Sequence, residues 1–129
     1  MKCYCGTEKE FSKCCEPFLN GTKLPETPEQ LMRSRYSAFC CKKVDYLINT
    51  TDPQVSGNFD FKSVAHWANN ATFQKLEILN TAIDKNKGHV EFKAYYNIDN
   101  KDEIHHEHSL FRKHMGRWYF KDGKGQPTS

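Results

Sequence analysis

The second half of the chain alternates strictly between apolar and polar residues. Val90, Phe92, Ala94, Tyr96 and Ile98 interleave with Glu91, Lys93, Tyr95, Asn97 and Asp99. A period of two is that of a strand with one buried face. The same period runs more weakly through Phe73 to Ile83, with Leu76, Ile78 and Ala82 as its apolar positions, then through Glu103 to His114 and Arg117 to Lys121. Polar and glycine-containing stretches separate these runs: Asp84 to Gly88, Asp99 to Asp102, and Met115-Gly116. They read as turns between antiparallel strands. Asp122-Gly123 is expected to end the last strand, and the tail from Lys124 to Ser129 to fray.

The first half follows a helical period. Thr27, Pro28 and Gln30 form a capping box with proline at the first helical position. Met32, Tyr36 and Phe39 lie on one row, with Leu31, Arg35 and Ala38 beside it. This predicts a helix from Pro28 to about Lys42, followed by a turn at Val44 to Ile48 that Asp52-Pro53 closes. A shorter helix is predicted from Asp60 to Asn69, burying Phe61, Val64, Ala65 and Ala68 with Trp67 at its edge. Glu16 to Pro25 holds two prolines and an Asn-Gly and reads as a loop. Helices first, then a run of antiparallel strands, is an α+β pattern, and a twisted sheet can curl around the first helix and enclose a pocket.

Length and composition fit this picture. The 129 residues suit one domain with a small appended module, here residues 1–24 and 25–129. Apolar residues make up 37% and charged residues 27%, ordinary for a globular protein with a real core. No window approaches the ~18 apolar residues of a membrane span. No apolar stretch follows Lys2, so a signal peptide is not expected and a cytoplasmic location is.

The densest chemistry lies in the first fifteen residues. Cys3, Cys5, Cys14 and Cys15 form a C-x-C pair, eight intervening residues, and an adjacent pair. Gly6 can take the positive-φ turn that aims backbone N–H groups at sulfur. A closed set of four thiolates suits a structural Zn²⁺. Buried reduced cysteines and a disulfide framework are the alternatives; four cysteines in fifteen residues are too dense for a core. With the formal charge of +3, four thiolates and one Zn²⁺ add about −2 and leave the chain near +1. That is weak support for nucleic acid, to which only Lys2, Lys9 and Lys13 point. Cys40 and Cys41 fall about 100° apart on the first helix and read as small apolar residues against the core.

Several segments together resemble the YchJ-like bacterial proteins. They are Leu31-Met32-Arg33-Ser34-Arg35-Tyr36-Ser37-Ala38-Phe39, Asp45-Tyr46-Leu47, the Trp67 helix, His106-Glu107-x-Ser109-x-Phe111, and Gly116-Arg117-Trp118-Tyr119-x-x-Asp122-Gly123. The cysteine pattern resembles the SEC-C motif that opens those proteins and also occurs at the C-terminus of the SecA translocation ATPase. The resemblance implies a zinc-binding SEC-C knuckle joined to a cone of the NTF2-like fold, and it carries no established activity. Two departures stand out. Many such proteins have a second cysteine motif after the sheet, which residues 1–129 lack. Phe73 stands where the family tends to have Trp.

Cones of this fold often hold a pocket between sheet and helix. Arg35, Tyr36, Trp67, His106, Glu107, Ser109 and Trp118 are the candidate lining residues. Strand alternation puts Glu107, Ser109 and Phe111 on one face and His106, His108 and Leu110 on the other, so Glu107 and Ser109 are the better interior candidates. Arg35 is expected to pair with Glu107, as a buried carboxylate needs a partner. A fixed core ion pair is the more economical reading of that contact. His105, His106, His108 and His114 are expected to face solvent. Function then divides between an adaptor, whose knuckle meets a protein or ribosome-like partner, and an enzyme or small-molecule binder that uses the cone. The adaptor ranks first, and an open cone lined by polar groups would favour the second.

Overall fold

The computed structural model describes residues 1–125. Helix α1 spans Glu16–Leu19, α2 Pro28–Cys40, α3 Val44–Asn49 and α4 Phe61–Asn70. Strands β1 Thr72–Asp84, β2 Lys87–Ile98, β3 Lys101–His114 and β4 Arg117–Gly125 follow. The strands form one antiparallel sheet in the order β1-β2-β3-β4. The fold is therefore α+β and NTF2-like, with the cysteine cluster at its N-terminal end.

Local chemistry accounts for most boundaries. Thr27 accepts a hydrogen bond from the Gln30 amide and caps α2 with Pro28 at its first position. Asp60 caps α4, its side chain accepting from the amides of Lys62 and Ser63. Two-residue turns join the strands. Asp99 and Asn100 both have positive φ, as do Met115 and Gly116, which is the turn geometry that matches strand twist.

Three expectations need adjustment. The Glu16 to Pro25 segment is not all loop: Pro17 sits in the first turn of α1, where its missing N–H costs nothing. Helix α2 ends at Cys40, and Cys41 is its C-cap. Strand β4 runs past Asp122-Gly123 to Gly125, because those residues pair with Leu110 and Ser109 across a bulge. The rest of the tail, 126–129, lies outside the described residues.

The core forms where α2 lies against the concave face of the sheet. Leu31, Met32 and Tyr36 from α2 meet Leu76, Val90, Phe92, Ala94, Phe111, Trp118 and Phe120 from the strands. Thr51 bridges Phe120 in parallel, and the Asp52 amide donates to the Phe120 carbonyl at 2.7 Å. This ties the segment after α3 to β4. Asp52 itself is fully buried and holds Arg112 of β3 through two hydrogen bonds of 2.6 and 2.9 Å. No helix among the described residues is long and apolar enough to cross a membrane.

Candidate functional site

The N-terminal cluster is built by a small hairpin. Lys2 bridges Glu10, the Cys3 amide donates to the Lys9 carbonyl at 2.8 Å, and Gly6 takes φ +86° at the turn. A 3-10 turn at Phe11–Lys13 then swings Cys14 and Cys15 back toward Cys3 and Cys5. The four sulfurs all lie within 4.8 Å of one another. Cys5 Sγ is 3.6 Å from Cys14 Sγ, and Cys14 Sγ is 4.0 Å from Cys15 Sγ. A tetrahedral Zn²⁺ with Zn–S bonds near 2.3 Å requires S···S edges of about 3.8 Å, so the thiols fit a metal ion of that kind with little movement.

The surroundings prepare the thiols for a cation. Cys3, Cys5 and Cys15 are buried and Cys14 is half-buried. The Thr7 hydroxyl lies 3.1 Å from Cys14 Sγ and 3.6 Å from Cys5 Sγ. Hydrogen bonding from Cys15, with Thr7 adding to it, pulls the Cys5 thiol down to about 4. Burial pushes Cys14 up to about 11, and hydrogen bonding to Cys5 pushes Cys15 up. A divalent cation would displace the remaining thiol protons. No protein-free position is left among four thiolates, which is the arrangement of a structural site.

The knuckle is seated on α2. The Arg33 guanidinium donates through Nη1 to the Cys5 carbonyl at 2.5 Å and through Nε to Glu29 at 2.9 Å. Cys3 Sγ lies 3.7 Å from Ser37 Oγ. Arg33 and Ser37 are one turn apart, so one face of α2 carries the knuckle while the Met32–Tyr36 row turns to the sheet.

A second candidate site lies inside the cone, a cavity of about 200 Å³. Arg35, Tyr36, Trp67, Glu107 and Ser109 all line it. Its walls are aromatic: Trp67 stands 5.0 Å from Phe39 and 5.4 Å from Phe73, ring centre to ring centre. Phe61, Val64 and Trp67 of α4 are half-buried and line this cavity.

Two candidates fall elsewhere. His106 is on the outer face of the sheet, its Nε2 2.7 Å from Glu91. Strand parity with Glu107 puts His105 inside instead, where its Nε2 lies 2.8 Å from Glu107 Oε1 and its ring 5.1 Å from that of Trp67. Trp118 is buried in the core but away from the cavity; its Nε1 donates to the Glu26 carbonyl at 3.2 Å. The histidines are also less solvent-facing than expected. His105, His106 and His108 are half-buried and each has a partner, His108 meeting His89 at 2.6 Å. Only His114 of the four is exposed.

Arg35 and Glu107 share the cavity without an ion pair. Arg35 Nη1 donates to the Leu47 carbonyl at 2.9 Å and to Thr50 Oγ1 at 2.7 Å, and its guanidinium lies 4.4 Å over the Phe120 ring. Burial lowers its pKa to about 10, against the opposing pull of Glu107, so it remains a cation at neutral pH. Glu107 accepts from His105 and from the Ser109 hydroxyl. Burial would raise its carboxyl, yet these two donors and the Arg35 charge outweigh it and hold the pKa below the ordinary range. Gly123 lets that carboxylate lie against β4, since a Cβ there would strike it. Cys40 is a half-buried free thiol packed against the core, as expected, whereas Cys41, the C-cap of α2, is half-buried outside that cluster.

With this geometry the comparisons with known proteins agree. Residues 27–123 match the family described as YchJ, middle NTF2-like domain. The chain belongs to the YchJ-like family. A UPF0225 protein of Geobacter sulfurreducens is 42% identical over 126 residues, covering 95% of this chain and 78% of the relative. One of Actinobacillus succinogenes is 40% identical, covering 93% and 79%. Among solved structures, a SEC-C motif containing protein from Rhodopseudomonas palustris superposes with a TM-score of 0.90 at 39% identity, covering 98% of this chain and 100% of that one. A SEC-C motif containing protein from Psychrobacter arcticus gives 0.83 at 30%, covering 100% and 85%. The YchJ-like chain also shares its fold, at 12% identity and a TM-score of 0.66, with a putative calcium/calmodulin-dependent protein kinase type II association domain from Thiobacillus denitrificans, covering 83% and 99%.

Proposed function

We propose that this YchJ-like protein binds a small molecule in its cone, and that a structural Zn²⁺ in the four-cysteine cluster holds the knuckle onto α2. The observation that carries the reading is the cavity itself. Protein interiors are close-packed, with few voids larger than a water molecule. Here about 200 Å³ stays open between aromatic walls, with two charged side chains facing into it. A convergent polar set inside an apolar pocket is the usual form of a ligand site. An apolar cavity of roughly 150 Å³ accepts benzene, so this one has room for a single substituted ring.

The test is a titration of the zinc-loaded, full-length protein with small ring compounds, followed by backbone amide shifts. Binding in the cone moves the amides of Ala94, Ser109 and Gly123. Ala94→Leu should fill the space and abolish those shifts while the protein stays folded. No response at those amides, or an unchanged response in Ala94→Leu, would rule the reading out.

A second reading, the adaptor, draws on the outer surface of the knuckle. Tyr4, Lys2, Lys9 and Lys13 are all exposed there. Sedimentation with ribosomes tests it: zinc-loaded protein should pellet and Cys14→Ser should not, and recovery of both in the supernatant removes the ribosome as partner.

A further inference from the structure

Arg35 narrows the class of ligand. It keeps only 8% of its surface exposed, and its polar contacts all run through Nη1, to Leu47 and Thr50. Its Nε and Nη2 have no partner among the described residues. No fully closed-off side-chain nitrogen or oxygen among those residues lacks a partner, so these two nitrogens open onto accessible space. The space that Arg35 lines is the cone. Its guanidinium carbon lies 4.4 Å from the centre of the Phe120 ring, which lines the same cavity.

The Nε–Nη2 edge has a specific complement. Nε–H and Nη2–H point the same way and match the two oxygens of a carboxylate. The protein already uses the same edge elsewhere. Arg112 grips Asp52 through Nε at 2.6 Å and Nη2 at 2.9 Å. In Arg35 the corresponding pair of donors is unfilled and reaches accessible space. We propose that the cone binds a small aromatic carboxylate, its ring among Phe39, Trp67 and Phe73 and its carboxylate on the Nε–Nη2 edge of Arg35. This rests on the cone being a ligand site.

The neighbouring charge sets the selectivity. Glu107 is an ionised carboxylate that accepts from His105 and Ser109, so it offers the ligand no donor. Its negative charge opposes a second carboxylate in the same cavity. The site therefore binds an anion through Arg35 against a standing repulsion, and neutralising Glu107 should strengthen binding of an anion and of nothing else.

The experiment compares benzoate with benzyl alcohol, of like size and neutral, by amide-shift titration of the zinc-loaded full-length protein. Benzoate should bind at least about tenfold more tightly than benzyl alcohol. Glu107→Gln should tighten benzoate by about tenfold and leave benzyl alcohol within about twofold. Arg35→Lys keeps the charge but loses the two-pronged edge, and should weaken benzoate by about tenfold. Arg35 also holds the end of α3, so if that variant does not fold, Glu107→Gln decides alone. Benzoate binding no tighter than benzyl alcohol, or Glu107→Gln failing to tighten benzoate, overturns the carboxylate class while leaving the cone as a ligand site. Neither compound moving the cone amides overturns both.

Discussion

Removing Asp52 should markedly destabilise the YchJ-like domain. Asp52 is fully buried, and its carboxylate takes both prongs of Arg112 and the Gln54 amide at 3.0 Å. Breaking a buried ion pair on one side costs roughly 3–5 kcal/mol. Arg112 keeps 21% of its side chain exposed and can turn to water, so the lower end applies, about 3 kcal/mol for Asp52→Ala. Against a total stability of about 5–15 kcal/mol that loss is large. In urea it should move the midpoint down by about 1.5 M at a slope near 2 kcal/mol per molar. The pH dependence follows from the carboxyl being lowered, chiefly by the Arg112 hydrogen bonds, below its ordinary value of 3.8. A depressed folded-state pKa adds stability above the unfolded value and loses it as pH falls through the folded one. The wild type should therefore lose this increment only below about pH 4, and Asp52→Ala should lack that part of its acid sensitivity. A double-mutant cycle with Arg112→Leu should return a coupling of about 2 kcal/mol. Coupling below about 0.5 kcal/mol would refute the claim that this pair anchors the α3–α4 segment to the sheet.

The purified protein should carry one zinc per chain, and Cys14→Ser should abolish it; metal analysis without chelator decides this, and unchanged zinc in the variant removes the assignment. Chelation should release residues up to about Asn20 while the sheet survives, because binding free energy in such a cluster is local folding free energy; uniform loss of amide protection across β2 and β3 would contradict it. Cys40, whose thiol burial pushes up to about 12, should label much more slowly at pH 8 than an unfolded thiol, and faster labelling than Cys41 would reverse their placement. Glu91→Gln, on the outer face with His106, should change stability by less than about 1 kcal/mol and leave ring-compound binding in the cone unaltered.

What the sequence determined by itself is everything carried by near neighbours. Thr27-Pro28-x-Gln30 caps a helix whatever surrounds it, and the strand runs with their short turns set the pairing of consecutive hairpins. The cysteine cluster spans only thirteen residues, so its spacing already placed four sulfurs within reach of one ion. Parity along β3 also placed His105 with Glu107 and His106 opposite, so the pleat excludes the candidate His106 from the cavity.

Tertiary structure alone decided the contacts between distant residues. Asp52 and Arg112 are sixty positions apart, and Asp-Pro reads locally as a helix stop rather than half of an ion pair. The expected Arg35–Glu107 pair does not form, because the end of α3 brings the Leu47 carbonyl and Thr50 hydroxyl to Arg35 while β3 supplies its own donors to Glu107. Trp118 shares the inner face of the sheet with the core yet lies under Glu26, away from the cavity. Periodicity tells which residues share a face of an element. How far along that face the sheet stays closed, and which loop folds over it, depends on long-range packing that leaves no local pattern.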